Sequence, residues 1–178
     1  MGQNYEQISL DDYSFKRVEV RLCLREDSAI YSSDPLSSPD AAVNVMADMM
    51  RDLDREMVAV INLDARNRPI NFNIVSIGSI NSSLAPIQNI MKSGILCNAS
   101  SIMLMHNHPS GEVEPSPQDI NLTERLIGAG KLMELPVLDH VIIGGSSGEH
   151  YSFRQERPSL FANDHENRSL TIRHNEAR

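Results

Sequence analysis

With 178 residues the chain has the length of one domain, and with 40% hydrophobic but only 4% aromatic residues and no Trp its core must be aliphatic, built from Ile, Leu, Val and nine Met. A formal charge of -8 provides no field to gather phosphates. It argues against nonspecific nucleic-acid binding and leaves only a local basic patch open.

Cys23 and Cys97 lie far apart without a C-x-x-C spacing, so neither a disulfide framework nor a thiolate zinc site is expected. No stretch approaches the roughly 18 consecutive apolar residues of a membrane span, and the N-terminus has no basic segment followed by an apolar one. A cytoplasmic protein without a membrane partner is expected.

Residues 1–14 are polar and expected to be flexible. In KRVEVRLCLRED, Val18, Val20, Leu22 and Leu24 alternate with polar neighbours, the period of a strand with one buried face. After a Ser/Pro/Asp-rich connector, Ser38 is placed to cap a helix with Pro39 at its first position. Ala42, Val45, Met46, Met49, Met50 and Leu53 follow at helical spacing and are expected to face the core.

MVAVINLD (57–64) and INFNIVSIGSI (70–80) read as two strands joined by the polar turn ARNRP, and are expected in the middle of a sheet. Pro86 opens a second helix carrying Ile87, Ile90, Met91 and Ile95, and SIMLM (101–105) is a short buried strand running straight into His106. A third helix covers 116–133, PVLDHVIIGG gives a further strand, and HYSF an edge strand. This alternation predicts a single layered α/β domain over residues 15–153, followed by a polar tail, 154–178, without fixed structure.

The segment MLMHNHPSGEVEPSPQD (103–119) carries the chemistry. Residues i and i+2 of a strand share a face, so His106 and His108 can aim their imidazoles at one point, as two ligands of one ion must. They stand at a strand end, where an open coordination position is within reach of a substrate. Asp119, in the first turn of the third helix, could supply a third ligand. Two His, one Asp and a water make an open tetrahedral zinc site, which brings the pKa of that water to about 7 and yields a hydroxide nucleophile at neutral pH.

Ser116-Pro117-Gln118-Asp119 also fits a capping box, with Ser116 at N-cap, Pro117 at N1 and Asp119 at N3. That accounts for Ser116 and Asp119 without a metal. Capping has no need of the histidine pair, and the set taken together favours the metal. A zinc hydrolase also needs a general base. Glu56 is the only glutamate between Glu26 and Glu112, although by itself it reads as a solvated charge at a helix end.

His106-Asn107-His108-Pro109-Ser110-Gly111, Pro115-Ser116 and Asp119 resemble the motif of the RadC-like branch of the JAMM (MPN+) metalloprotease superfamily. LDARNRPI, SIGSINSSLAPIQNIMKSGI and LDHVIIG resemble the same family in the same order, so the resemblance runs from about Glu56 to Phe153. It implies zinc at His106, His108 and Asp119, Glu56 as acid/base, and Ser116 as a donor to the tetrahedral oxyanion, a contribution of roughly 3 kcal/mol. It also implies a mixed β-sheet flanked by helices, as in cytidine deaminase-like folds, and a peptidase or isopeptidase hydrolysing an amide bond of a protein or peptide.

Six residues separate Pro109 from Ser116, one fewer than in deubiquitinating members of the superfamily, so their isopeptide specificity does not carry over. The segment before Ser38 is too short for the helix-hairpin-helix module of many RadC-like proteins, which weakens the family's association with DNA repair. Short proteins of this type often belong to mobile elements.

Two other functions compete. A non-catalytic protein-interaction module would not need the complete ligand set. A nucleic-acid hydrolase or deaminase is disfavoured by the acidic net charge, and the deaminase signature pairs H-x-E with P-C-x-x-C, which Cys23 and Cys97 cannot supply. Asp139 and His140 read as hydrogen-bonded structural residues, with a ligand role as the alternative. Asn81, Ser82 and Ser83 read as a turn that could also line a groove, and His150, His165 and His174 carry no role.

Overall fold

In the computed structural model, residues 32, 34–78, 85–145 and 147–162 are described. The strand expected around Val18–Leu24 lies outside them, as do Asn81, Ser82, Ser83, His165 and His174.

Ser38, in extended conformation, accepts the Ala41 N–H at 3.2 Å and starts helix α1 (Pro39–Met50) with Pro39 in its first turn. Ala42, Val43, Met46, Ala47 and Met50 form its buried face, and Val45, Met49 and Leu53 pack at the margin. Strands β1 (Met57–Leu63) and β2 (Pro69–Ile77) follow as an antiparallel hairpin. Its turn is organised by the Asp64 carboxylate, which accepts the N–H groups of Arg66 and Arg68 at 2.8 and 2.9 Å, with Asn67 at φ 59.

Helix α2 (Ile87–Leu96) leads to β3 (Ser101–His108), which pairs antiparallel with β1 and parallel with β4 (Val137–Gly144). A parallel pair needs a crossover, and helix α3 (Pro117–Leu132) provides it. The short strand β5 (His150–Ser152) adds antiparallel to β4, giving the sheet order β2-β1-β3-β4-β5. The architecture is α/β, with a five-stranded mixed sheet flanked by helices in a single domain. β1 lies inside the sheet as expected, whereas β2 is an edge among the described residues. Its exposed Ile70, Ile74 and Ile77 fit that position.

Every residue of β1 is buried because both faces of the sheet are covered. Met57, Ala59, Ile61 and Leu63 join Met103, Met105, Val141 and Ile143 against α1. Val58 and Val60 join Ile102, Leu104 and Val137 against α2 and α3. The period of 2 that sends Ile102 and Leu104 to the second face puts His106 there as well.

Part of the stretch expected to be a tail is built into the fold. Helix α4 (Phe153–Glu156) and the 3-10 turn Pro158–Phe161 close the described chain. Phe153 is fully buried, and Leu160 and Phe161 pack on the α2/α3 core. These apolar residues are too sparse to show a period, so the sequence gives little hint of them. No helix among the described residues is long and apolar enough to cross a membrane.

Candidate metal centre

β3 ends with the two histidines on one side, their rings 4.7 Å apart and nearly perpendicular. The His106 side chain is 1% exposed and that of His108 13%, so one is sealed in and the other faces the mouth of the site. The first turn of α3 brings Asp119 between them, with Oδ1 3.4 Å from His106 Nδ1 and Oδ2 3.6 Å from His108 Nε2. Glu56 arrives from far away in sequence. The antiparallel register pairs Val58 with His106, so the residue just before β1 is delivered to the end of β3. One ligand atom from each of Glu56, His106 and His108 lies within 4.8 Å of the others.

Burial lowers the His106 pKa to about 3, with the neighbouring His140 acting in the same direction, so at neutral pH the ring is uncharged. Among the described residues neither of its nitrogens has a hydrogen-bond partner. His108 is held the other way: its contact with Asp119 raises its pKa against the effect of burial. Its Nδ1 lies 2.7 Å from the Glu112 carbonyl oxygen, which can only accept, so this nitrogen carries a proton and the neutral ring keeps a lone pair on Nε2. Burial opposes ionisation of Asp119, but the contact with His108 and the hydrogen bonds from Ser116 act the other way, and the carboxyl lies well below its usual range.

This donor set could hold a metal ion. A buried imidazole with two nitrogens outside any hydrogen bond among the described residues is costly unless something binds it, and the carboxylate beside it is ionised. Imidazole and carboxylate together suit a divalent transition-metal ion.

The expected capping box is present in full: Ser116 Oγ accepts the Asp119 N–H, while Asp119 Oδ2 accepts both the amide N–H and the hydroxyl of Ser116. The Ser116 hydroxyl proton is thus directed at Asp119, not into the open cleft.

Asp139 and His140 stand outside the cluster. Asp139 accepts the N–H groups of His140 and Arg154 and the Ser152 hydroxyl, tying β4 to the C-terminal elements. His140 Nδ1 meets Thr123 Oγ1 at 2.7 Å, and Thr123 donates to the Asp119 carbonyl oxygen at 2.6 Å. Thr123 has no place in the sequence reading, and its only signal is the i, i+4 spacing from Asp119. The His140 ring stacks on Phe153 at 4.8 Å and faces His106 at 6.1 Å.

The site opens into a cleft of about 310 Å³ lined by Glu56, His108, Ser110, Glu112, Ser116 and Asp119. The loop after His108 folds back over β4, where Gly144 lacks a Cβ that would stand 2.5 Å from the Gly111 carbonyl oxygen. A slightly larger cleft of about 360 Å³ at the opposite end of β3 and β4, beside Ser101, Val137 and Arg154, is remote from this cluster.

Residues 36–158 match the family described as RadC-like JAB domain. The chain is 40% identical over 134 residues to a "UPF0758 protein" of Desulfitobacterium hafniense, covering 72% of this chain and 59% of that one. It is 42% identical over 113 residues to a "UPF0758 protein" of Caldanaerobacter subterraneus, covering 64% and 48%. A "UPF0758 protein" of Methanosarcina mazei is 37% identical over 121 residues, covering 68% and 52%. The chain thus spans about half to three-fifths of the length of these relatives.

Proposed function

We propose that this chain, which belongs to the RadC-like JAB domain family, is a zinc-dependent metallopeptidase or isopeptidase hydrolysing an amide bond of a protein or peptide. The observation that carries this reading is the buried His106, whose two ring nitrogens make no hydrogen bond among the described residues, set against Asp119, His108 and Glu56 at the head of a cleft.

In this reading His106, His108 and Asp119 hold the ion. A zinc ion there would supply a water activated to about neutral pKa and a Lewis acid for the substrate carbonyl. His108 is prepared as a ligand by the Glu112 carbonyl, which fixes its proton on Nδ1. Glu56 serves as acid/base, moving a proton from the attacking water to the leaving amine. Ser116 acts first by orienting Asp119, and donates to an oxyanion only on giving up that bond. Glu56 lies near enough to both histidines to act as a ligand instead, which is the second reading this geometry supports.

Metal analysis of the purified protein beside His106→Ala, with peptide hydrolysis measured for Glu56→Gln, tests the assignment. Expected are one zinc per wild-type chain, none in His106→Ala, and zinc retained but hydrolysis lost in Glu56→Gln. Zinc lost along with hydrolysis in Glu56→Gln makes the glutamate a ligand. A wild-type protein that takes up no zinc at neutral pH overturns the function.

A further inference from the structure

Asn107 stands between the two histidines, and the alternation of the strand places it on the face of β3 that carries Met103 and Met105. It is fully buried, and its amide is used at both ends. Oδ1 accepts the Met57 N–H at 2.6 Å, and Nδ2 donates to the Arg55 carbonyl oxygen at 3.2 Å. Those two backbone groups flank Glu56.

The paired register of β1 and β3 stops at Val58–His106. Beyond it the Asn107 side chain continues the pairing in place of backbone. On the other side, the Glu56 carbonyl oxygen accepts the Gly78 N–H at 2.8 Å at the end of β2. Before Glu56 the chain runs through Asp54 and Arg55, exposed side chains that pair with each other at the surface. Asn107 is therefore the buried anchor of the backbone entering Glu56.

We propose that Asn107 is a positioning residue: its amide holds the backbone on both sides of Glu56 and so aims that carboxylate at the His106–His108 pair. The same strand end then sets two ligands and the carboxylate they work with, because one β3 tripeptide sends its outer residues to the ion and its middle residue to the Glu56 backbone. This inference rests on the metal reading of the site, and its test separates the two.

Co2+ is titrated into wild type, Glu56→Gln, Asn107→Ala and the double variant, with visible spectra recorded. Backbone hydrogen exchange of the Met57 amide is followed in the metal-free proteins. All four proteins are expected to bind one Co2+, since the ligands are elsewhere. Asn107→Ala should move the d–d bands to where Glu56→Gln puts them, and the double variant should match Glu56→Gln alone, an effect that a merely structural asparagine would not show. The Met57 amide should exchange roughly tenfold faster or more in Asn107→Ala.

A wild-type spectrum in Asn107→Ala overturns the proposal, as does a full additional effect of Asn107→Ala in the Glu56→Gln background. Bands indifferent to Glu56→Gln remove the carboxylate from the site and the role of Asn107 with it. If wild type takes up no cobalt, the metal reading falls, and an unchanged Met57 exchange rate still decides against the clamp. Should Asn107→Ala fail to fold, Asn107→Asp keeps the acceptor for Met57 and loses the donor to Arg55. It is expected to fall between wild type and Glu56→Gln, and equality with wild type in both readouts overturns the proposal.

Discussion

Ser116 and Asp119 hold each other reciprocally: the Ser116 hydroxyl oxygen accepts the Asp119 N–H at 3.2 Å, while Asp119 Oδ2 accepts the Ser116 amide N–H at 2.8 Å and its hydroxyl at 2.5 Å. The box that starts α3 therefore also orients the carboxylate between the two histidines. One pair of side chains ends a loop, begins a helix and presents a ligand.

Ser116→Ala removes the cap and is expected to cost about 1 kcal/mol of stability, as helix caps do. It also frees Asp119 to turn, and zinc affinity should drop by about 10- to 100-fold, the usual consequence of losing a partner of a ligand. Ser116→Thr should restore most of both. Urea denaturation and a zinc competition assay check the two effects, and zinc affinity unchanged in Ser116→Ala would show that Asp119 needs no orienting.

His106→Leu separates a ligand from a structural histidine. In the metal-free protein the substitution removes two buried nitrogens that make no hydrogen bond with the described residues, which should raise stability by about 1–3 kcal/mol, less whatever the 3.4 Å contact of Nδ1 with Asp119 contributes. A chelator should lower the melting temperature of zinc-loaded wild type and leave that of His106→Leu unmoved. Loss of stability in the metal-free variant would mean that the contacts of His106 with Asp119 and the neighbouring rings outweigh the cost of burying its nitrogens.

Thr123 gives its proton to the Asp119 carbonyl oxygen, so its oxygen must accept from His140, and His140 carries its proton on Nδ1. Burial brings the pKa of this ring to about 4, so it is neutral at pH 7. Nitrogen-15 NMR should therefore show the Nδ1–H tautomer. Thr123→Val strands that N–H in the core and should cost about 1–3 kcal/mol, whereas Thr123→Ser should be mild. An Nε2–H tautomer in wild type would reverse the assignment.

The Asp64 turn predicts a pH dependence. Hydrogen bonds from the Arg68 side chain and from the backbone lower the Asp64 pKa to about 2. A carboxyl depressed in the folded state stabilises above its unfolded value, about 3.9, and that contribution fades as pH falls toward about 2. Asp64→Asn should remove the corresponding part of the acid limb. Identical acid limbs for variant and wild type would assign the turn no share in acid stability.

Much of the fold could be read locally. Ser38-Pro39, the short apolar run Met57–Leu63 and the Ser116–Asp119 box are short-range patterns, and each produced the expected element. The histidine pair was legible for the same reason, since period 2 is all it needs. Asn107 was not, because its partners are 50 and 52 residues away and depend on the β1/β3 register. Thr123 meets His140 only once α3 has crossed over to β4. Ile95 shows what spacing alone leaves open: it lies on α2 in step with Ile87 and Met91, yet it is 46% exposed.

The origin of the site's parts also bears on folding kinetics. Glu56 precedes the first strand, His106 and His108 end the third, and Asp119 opens a helix beyond them. These groups meet only after a non-local antiparallel pairing has formed and α3 has docked, late events for a chain that must first close the intervening loop. A cation bound there would meet its full ligand set only once these steps are complete, and it would then be expected to slow unfolding more than it speeds folding. The metal centre would then serve the domain as a latch that sets how long the native state lasts, separately from how quickly it is reached.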